Sequence, residues 1–331
     1  MDAKNPLIVD VTRGAMVESR HRGHSVVADR HGKVLHVWGE AEKIIYPRSA
    51  IKPLQALALI ETGAADAFNL SDEELALAAA SHGATPEHTD MTARWLDRIG
   101  LGVQNLECGG HDPMDKQSFR DMTRRNETPS PIHNNCSGKH VGFLTTAKHL
   151  GEPLAGYTGL DHPVQRRLAA ILEDMGDCDL SQAPAGSDGC GIPVYGIPIN
   201  VMARALARMA DPVDLAPERR EAAKRIFAAM TAHPRLVAGP GRFDTKVVEA
   251  TKGAFVVKTG AEGVYAGILP EAGLGIALKI EDGARRAAEV AMAAVLTYLG
   301  MLDRTEFLEA PIHNAKGEAV GVVRMAAGWD N

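Results

Sequence analysis

The chain has 331 residues, 45% of them hydrophobic and 24% charged, with a formal net charge of −6. That length suits one large domain or two closely packed ones, and aromatics at only 5% mean an aliphatic, alanine-rich core. The acidic balance, with no basic run, excludes nucleic acid as a partner, and no stretch is apolar enough over sufficient length to suggest a membrane span.

In chain order, the first forty-odd residues read as strands, with 24–28 and 34–38 flanking a turn at Asp29-Arg30-His31-Gly32. Helical patterns follow at 49–61, 72–80 and 87–99, the second opened by a capping box at Ser71 and Glu74. Between 101 and 237, helices at 140–150, 161–175, 201–209 and 217–232 alternate with loops rich in Gly and Pro. Strands return at 253–258, 264–269 and 274–280 as an antiparallel meander. A helix at 283–299 and a closing strand at 319–324 end the pattern. The fold class expected is α/β (α+β): an antiparallel sheet from both termini, about 1–45 and 250–331, with a mainly helical middle, about 46–249. No linker or repeat divides it, so 1–331 reads as a single compact domain. Residues 1–14 lack the basic and apolar regions of a signal peptide, which points to the cytoplasm.

Ser49-Ala50-Ile51-Lys52 is the most informative stretch. Helical geometry brings positions i and i+3 onto one face, and a neutral amine there can take a proton from a serine that is otherwise a poor nucleophile. Far downstream, Lys258-Thr259-Gly260 ends an apolar strand. These are two of the three marks of serine β-lactamases and penicillin-binding enzymes. The third mark fails, because Gly83 stands where Ser81-His82-Gly83 should end in Asn. That tripeptide reads equally as a cleft-facing turn or as a helix C-cap with Gly83 in the left-handed conformation. Arg48 is a candidate for a bidentate grip on a substrate carboxylate, or a surface arginine. The four cysteines, Cys108, Cys136, Cys178 and Cys190, suit free thiols or metal ligands better than disulfides. Cys136 and Cys190 sit in polar, glycine-rich turns with Lys139, His140 and Asp188 nearby in sequence.

Taken together, Pro47-Arg48-Ser49-Ala50-Ile51-Lys52, Ala80-Ser81-His82, Asn135-Cys136-Ser137-Gly138-Lys139-His140, Asp188-Gly189-Cys190-Gly191 and Lys258-Thr259-Gly260-Ala261-Glu262-Gly263 resemble the Rhizobium-type (class 3) L-asparaginases. The resemblance implies a serine β-lactamase/glutaminase-like fold and hydrolysis of L-asparagine to L-aspartate and ammonia. It implies two Ser-Lys pairs, Ser49 with Lys52 and Ser81 with Lys258, and substrate contacts at Arg48, His82, His140 and Glu262. It also implies a zinc ion on Cys136, Lys139 and Cys190 with Asp188 behind them, and a homodimer. Two ammonium groups converging on one pocket repel, so at least one lysine pKa is expected to fall. Two rival readings stay open: a zinc-dependent amidohydrolase whose metal-bound water attacks, and a non-catalytic sensor that acylates once and stays acylated.

Overall fold

A computed structural model describes residues 4–329; residues 1–3 and 330–331 of the expected 1–331 domain lie outside the described part. The chain opens with β1 (Leu7–Arg13), a 14-residue β2 (Met16–Asp29) and β3 (Val34–Trp38). The Asp29 carboxylate accepts the backbone N–H groups of His31 and Lys33, and Gly32 takes a positive φ of 83°, which fixes the β2–β3 turn. After β4 (Ile44–Ile45) come α1 (Lys52–Glu61), α2 (Ala64–Ala67), α3 (Asp72–Ala78), α4 (Pro86–Arg98), α5 (Lys116–Arg124), α6 (Ser137–Leu150) and α7 (Pro163–Gly176). Three short strands follow: β5 (Ala185–Ser187), β6 (Pro193–Tyr195) and β7 (Ile197–Pro198). Next are α8 (Ile199–Ala210), α9 (Pro217–Ala232), α10 (Pro234–Val237) and α11 (Phe243–Ala250). The final part holds β8 (Val256–Thr259), β9 (Val264–Leu269), β10 (Leu274–Ile280), α12 (Arg285–Tyr298), β11 (Glu309–His313) and β12 (Ala319–Met325).

The main sheet runs β11-β12-β1-β2-β10-β9-β8, with β3 also paired to β2, and every pairing is antiparallel. It is built from both ends of the chain, as the alternating strand patterns require. The period of two along each strand sorts its side chains between two cores. Val26, Ala28, Val256, Ala266 and Ala277 face α8 and the helical middle, while Val27, Val257, Tyr265, Ile276 and Leu278 face α12. Full burial of each of these Val, Ile and Leu side chains contributes about 1.5–3 kcal/mol. Helix α8 lies so close to β10 that a Cβ on Gly275 would come 2.1 Å from the Ala203 carbonyl and 2.4 Å from the Ala207 nitrogen.

The capping box forms: the Ser71 Oγ accepts the Glu74 N–H, and the Ser71 N–H donates to Glu74. The first helix differs from the reading at 49–61, because Arg48–Ile51 is a separate 3₁₀ turn and α1 begins at Lys52, with Pro53 in its first turn. Helices α5, α10 and α11 and strand β11 carried no clear apolar period. Helix α5, for example, buries only Met122. No helix among the described residues is long and apolar enough to cross a membrane.

Candidate active site

Two buried lysines converge on one serine. Ser81 follows α3, where its backbone N–H donates to the Val237 carbonyl, and its side chain is almost covered. Lys258 Nζ reaches the Ser81 Oγ at 2.8 Å from β8, and Lys52 Nζ reaches it at 3.0 Å from the start of α1. Lys52 also donates to the carbonyls of Ala80 (2.5 Å) and Asn135 (3.4 Å), and Lys258 to that of Thr259 (2.8 Å). Lys52 therefore has three oxygen acceptors, the number an ammonium group donates. Lys258 has two. Burial, then the positive charge of Lys52, pushes the Lys258 amine well below its ordinary value, as expected for converging ammonium groups.

This geometry redraws one expected pair. Lys52 hydrogen-bonds to Ser81, and no hydrogen bond joins it to Ser49 among the described residues. Ser49 lies half-buried in the Arg48–Ile51 turn with an uncommitted hydroxyl. Lys52 caps the end of that turn, and its amine is directed to the Ser81 hydroxyl and to the carbonyls of Ala80 and Asn135. The turn sits directly against the end of β8. A Cβ on Gly260 would come 3.1 Å from the Pro47 carbonyl and 3.2 Å from the Ala50 nitrogen, so a larger residue would push the turn back by a few tenths of an ångström. Arg48 adopts a left-handed backbone with φ of 51°, a conformation that costs a non-glycine residue energy and that the surrounding packing must hold.

Arg48 is committed to a carboxylate of the chain itself: its Nε donates to Asp188 at 2.7 Å. Burial works against the Asp188 charge, yet Lys139 and Arg48 hold its carboxyl below the ordinary range. The pair ties the Ser49 turn to the loop that carries Cys190. A small pocket of about 30 Å³ lies beside this pair, lined by Arg48, Gln55, Gln165, Asp188 and Tyr195 but by neither serine.

Cys136, at the start of α6, Lys139 on its first turn and Cys190 form a buried cluster, with Lys139 Nζ 3.1 Å from the Cys190 Sγ. Hydrogen bonding between the two thiols splits them: Cys136 is driven well down and Cys190 up, so the pair sheds its first proton readily and its second with difficulty. Burial alone would depress the Lys139 amine, but the charge of Cys190 and Cys136 raises it. Two sulfurs and an amine in contact are a donor set that suits zinc, with room in a tetrahedral shell for a fourth ligand. No group of three His, Cys, Asp or Glu side chains gathers among the described residues, so such a site depends on the Lys139 amine.

The histidines divide. His82 is fully buried; its Nδ1 accepts the Ala84 N–H and its Nε2 meets Ser137 Oγ at 2.9 Å. Both ring nitrogens of His82 are engaged by the protein, and the ring holds the turn after Ser81. That turn is no glycine C-cap either, since Ala84 rather than Gly83 carries the positive φ, 58°. His140 donates or accepts at Nδ1 with the Tyr157 hydroxyl (2.8 Å), and its buried Nε2 is unpartnered among the described residues. Glu262 is exposed on the β8–β9 turn with φ of 57°, its carbonyl accepting from Lys279. Sequence reasoning missed Tyr157, Asp244 and Tyr265. Asp244 lies in a helix with no apolar signature, and only the folded chain brings it to β8.

Solved structures similar to this one include a β-lactamase from Mycobacterium bovis (15% identity, 83% of this chain and 94% of that chain, TM-score 0.41). Another is the D-alanine carboxypeptidase AmpC from Burkholderia cenocepacia (12% identity, 85% and 93% covered, TM-score 0.41). A search of curated proteins returned no match. The family model for L-asparaginase II matches residues 9–325, which include both serines, all three buried lysines and both cluster cysteines. By that match over nearly its whole length, the chain belongs to the L-asparaginase II family, a family of asparaginase-type hydrolases.

Proposed function

We propose that the protein is an L-asparaginase that hydrolyses L-asparagine to L-aspartate and ammonia through a serine ester. The observation that carries the reading is the chain Lys52–Ser81–Lys258, two buried amines sharing one hydroxyl at 3.0 and 2.8 Å. With the Lys258 amine lowered toward neutrality, the Ser81 hydroxyl donates to it and accepts from Lys52, which leaves one Ser81 lone pair for an incoming proton, whereas the Ser49 hydroxyl has no partner among the described residues. Ser49 is therefore the nucleophile and Ser81 the proton carrier. The Ser49 oxygen bonds to the side-chain carbonyl carbon, and its proton enters the relay that ends on the Lys258 amine. The C–N bond breaks as the relay returns a proton to the leaving amine, releasing ammonia. Water then attacks the ester, gives up a proton to the relay, and frees aspartate and Ser49. Arg48, held by Asp188 on one edge of its guanidinium, has its remaining N–H groups for the substrate α-carboxylate, and His140 Nε2 and Glu262 are further candidate contacts.

Cys136, Lys139 and Cys190 would hold a zinc ion, which supplies a fixed positive charge and orders the Cys190 loop. A zinc-dependent amidohydrolase is the second reading, favoured by this cluster. The deciding experiment is ammonia release by purified protein from L-asparagine and L-glutamine, before and after chelation with the metal content measured. Multiple turnover on asparagine is expected, with kcat kept and KM raised after chelation. Loss of kcat on chelation, restored by zinc, would support the metal-water route. No turnover of asparagine in the zinc-replete protein would overturn the asparaginase reading.

A further inference from the structure

Strand β8 is the last strand of the main sheet, and among the described residues one side of it has no strand partner. An exposed or buried edge leaves backbone N–H groups that need acceptors. At Thr259 that acceptor is a side chain: the N–H donates to Asp244 Oδ2 at 3.0 Å. The other carboxylate oxygen, Oδ1, accepts the Tyr265 hydroxyl at 2.6 Å, and Tyr265 is the β9 residue in register with Thr259. One buried carboxylate thus clamps both members of the last cross-strand pair, directly after Lys258. Lys258 itself donates to the Thr259 carbonyl, the other end of the residue that Asp244 holds.

The clamp comes with a charge. Asp244 is 2% exposed, and its carboxylate lies behind the strand whose opposite face presents Lys258 to Ser81. We propose that Asp244 is a positioning residue for the reaction: it fixes the end of β8 so that Lys258 meets Ser81, and it sets a carboxylate behind the strand that carries Lys258. This rests on the asparaginase reading only for its kinetic readout. The groups that act on Lys258 come from several elements. Lys52 on α1 and Arg242 at the start of α11 disfavour its charged form, and Asp244 on α11 and Cys136 at the start of α6 favour it. Glu289 on α12, whose carboxyl is raised by burial and then by Asp244, faces the same cluster from behind.

The test is Asp244→Asn, which keeps an acceptor for Thr259 and a partner for Tyr265 but removes the charge. Without the carboxylate, Lys258 holds its proton less firmly, so the acid limb of kcat/KM for ammonia release should move to lower pH. The ratio of variant to wild-type kcat/KM should then rise as pH falls. Asp244→Glu, which restores the charge, should move the limb back toward the wild-type position. A second, activity-independent measurement is the ¹⁵Nζ resonance of Lys258 in the full chain, identified by its loss in Lys258→Met. Its titration midpoint should fall in Asp244→Asn, and equally in Asp244→Ser should the first variant not fold. An unmoved midpoint, or a lower plateau with an unmoved acid limb, would overturn the proposal and leave Asp244 a structural cap. If the wild type releases no ammonia, the asparaginase reading fails, and the ¹⁵N midpoint still decides the role of Asp244.

Discussion

Ser81 and Ser49 have opposite surroundings, and their variants should fail differently. Ser49→Ala removes the nucleophile and should lower kcat by about 10³-fold or more, with circular dichroism and thermal midpoint unchanged. Ser81→Ala breaks the proton chain and leaves Lys52 and Lys258 facing one another without the oxygen between them. It should also cut turnover sharply, but a slowly formed ester on Ser49 should be detectable by intact mass after mixing with asparagine. An ester found on Ser81 in Ser49→Ala would reverse the assignment. The Ser49–Lys52 spacing gained weight in the sequence from Lys258-Thr259-Gly260 far downstream, and the pairing of Ser81 with Lys258, 177 residues apart, came from the family resemblance. What the sequence did not disclose is that Lys52 turns to Ser81. That depends on Ala80, Ser81 and Asn135, which lie 28, 29 and 83 residues further on and meet the Lys52 amine only in the folded chain. Nor did it disclose Asp244, whose partners Thr259 and Tyr265 lie 15 and 21 residues away on other elements.

At the scale of elements, strands and long helices were legible from unbroken apolar runs, as in β9, whose six residues are all buried, and from helical apolar periods, as in α8. Helices α10 and α11 were not: the first spans only Pro234–Val237, and the second is short and buries Asp244 and Thr245 beside Val247 and Val248. The contact of α8 with β10 gives a test of how the sheet carries the helical layer. At Gly275 a new Cβ meets backbone atoms of α8, which cannot rotate away as a side chain can. Gly275→Ala should therefore cost about 1–3 kcal/mol, read as a fall in the urea midpoint with the slope unchanged. A midpoint equal to wild type would mean that α8 floats on the sheet and is not seated on it.

At the scale of the whole molecule, the buried histidines tie stability to pH. His82 and His88 stack at 4.8 Å, each bonded to backbone and side-chain groups that suit neutral rings. Burial lowers both, His82 well below the ordinary 6.5; for His82 the next causes are the neighbouring His88 and Lys52. Above about pH 6.5 the rings are neutral in the folded and unfolded chain alike, so their contribution is fully present. Below it the unfolded chain binds protons that the folded chain refuses, so stability falls as pH falls toward the lowered folded values. The slope is about 1.4 kcal/mol per pH unit for each proton withheld. Urea midpoints between pH 8 and 5 should drop accordingly, and His88→Gln should flatten the curve. A His88→Gln curve parallel to wild type would refute the assignment.

The sheet that joins the two ends of the chain also sets a timetable for synthesis. β1 pairs with β12, and Lys258 reaches Ser81 across 177 residues, so neither the sheet nor the site can close until most of the polypeptide has left the ribosome. At usual elongation rates β1 and β2 wait on the order of half a minute for β10 and β12. The early β2–β3 hairpin protects one edge of residues 25–28 during that wait, while the other edge of β2 stays open to neighbouring nascent chains. Slower translation prolongs that exposure and shares the burden with chaperones, so soluble yield should depend on how quickly the last hundred residues are delivered.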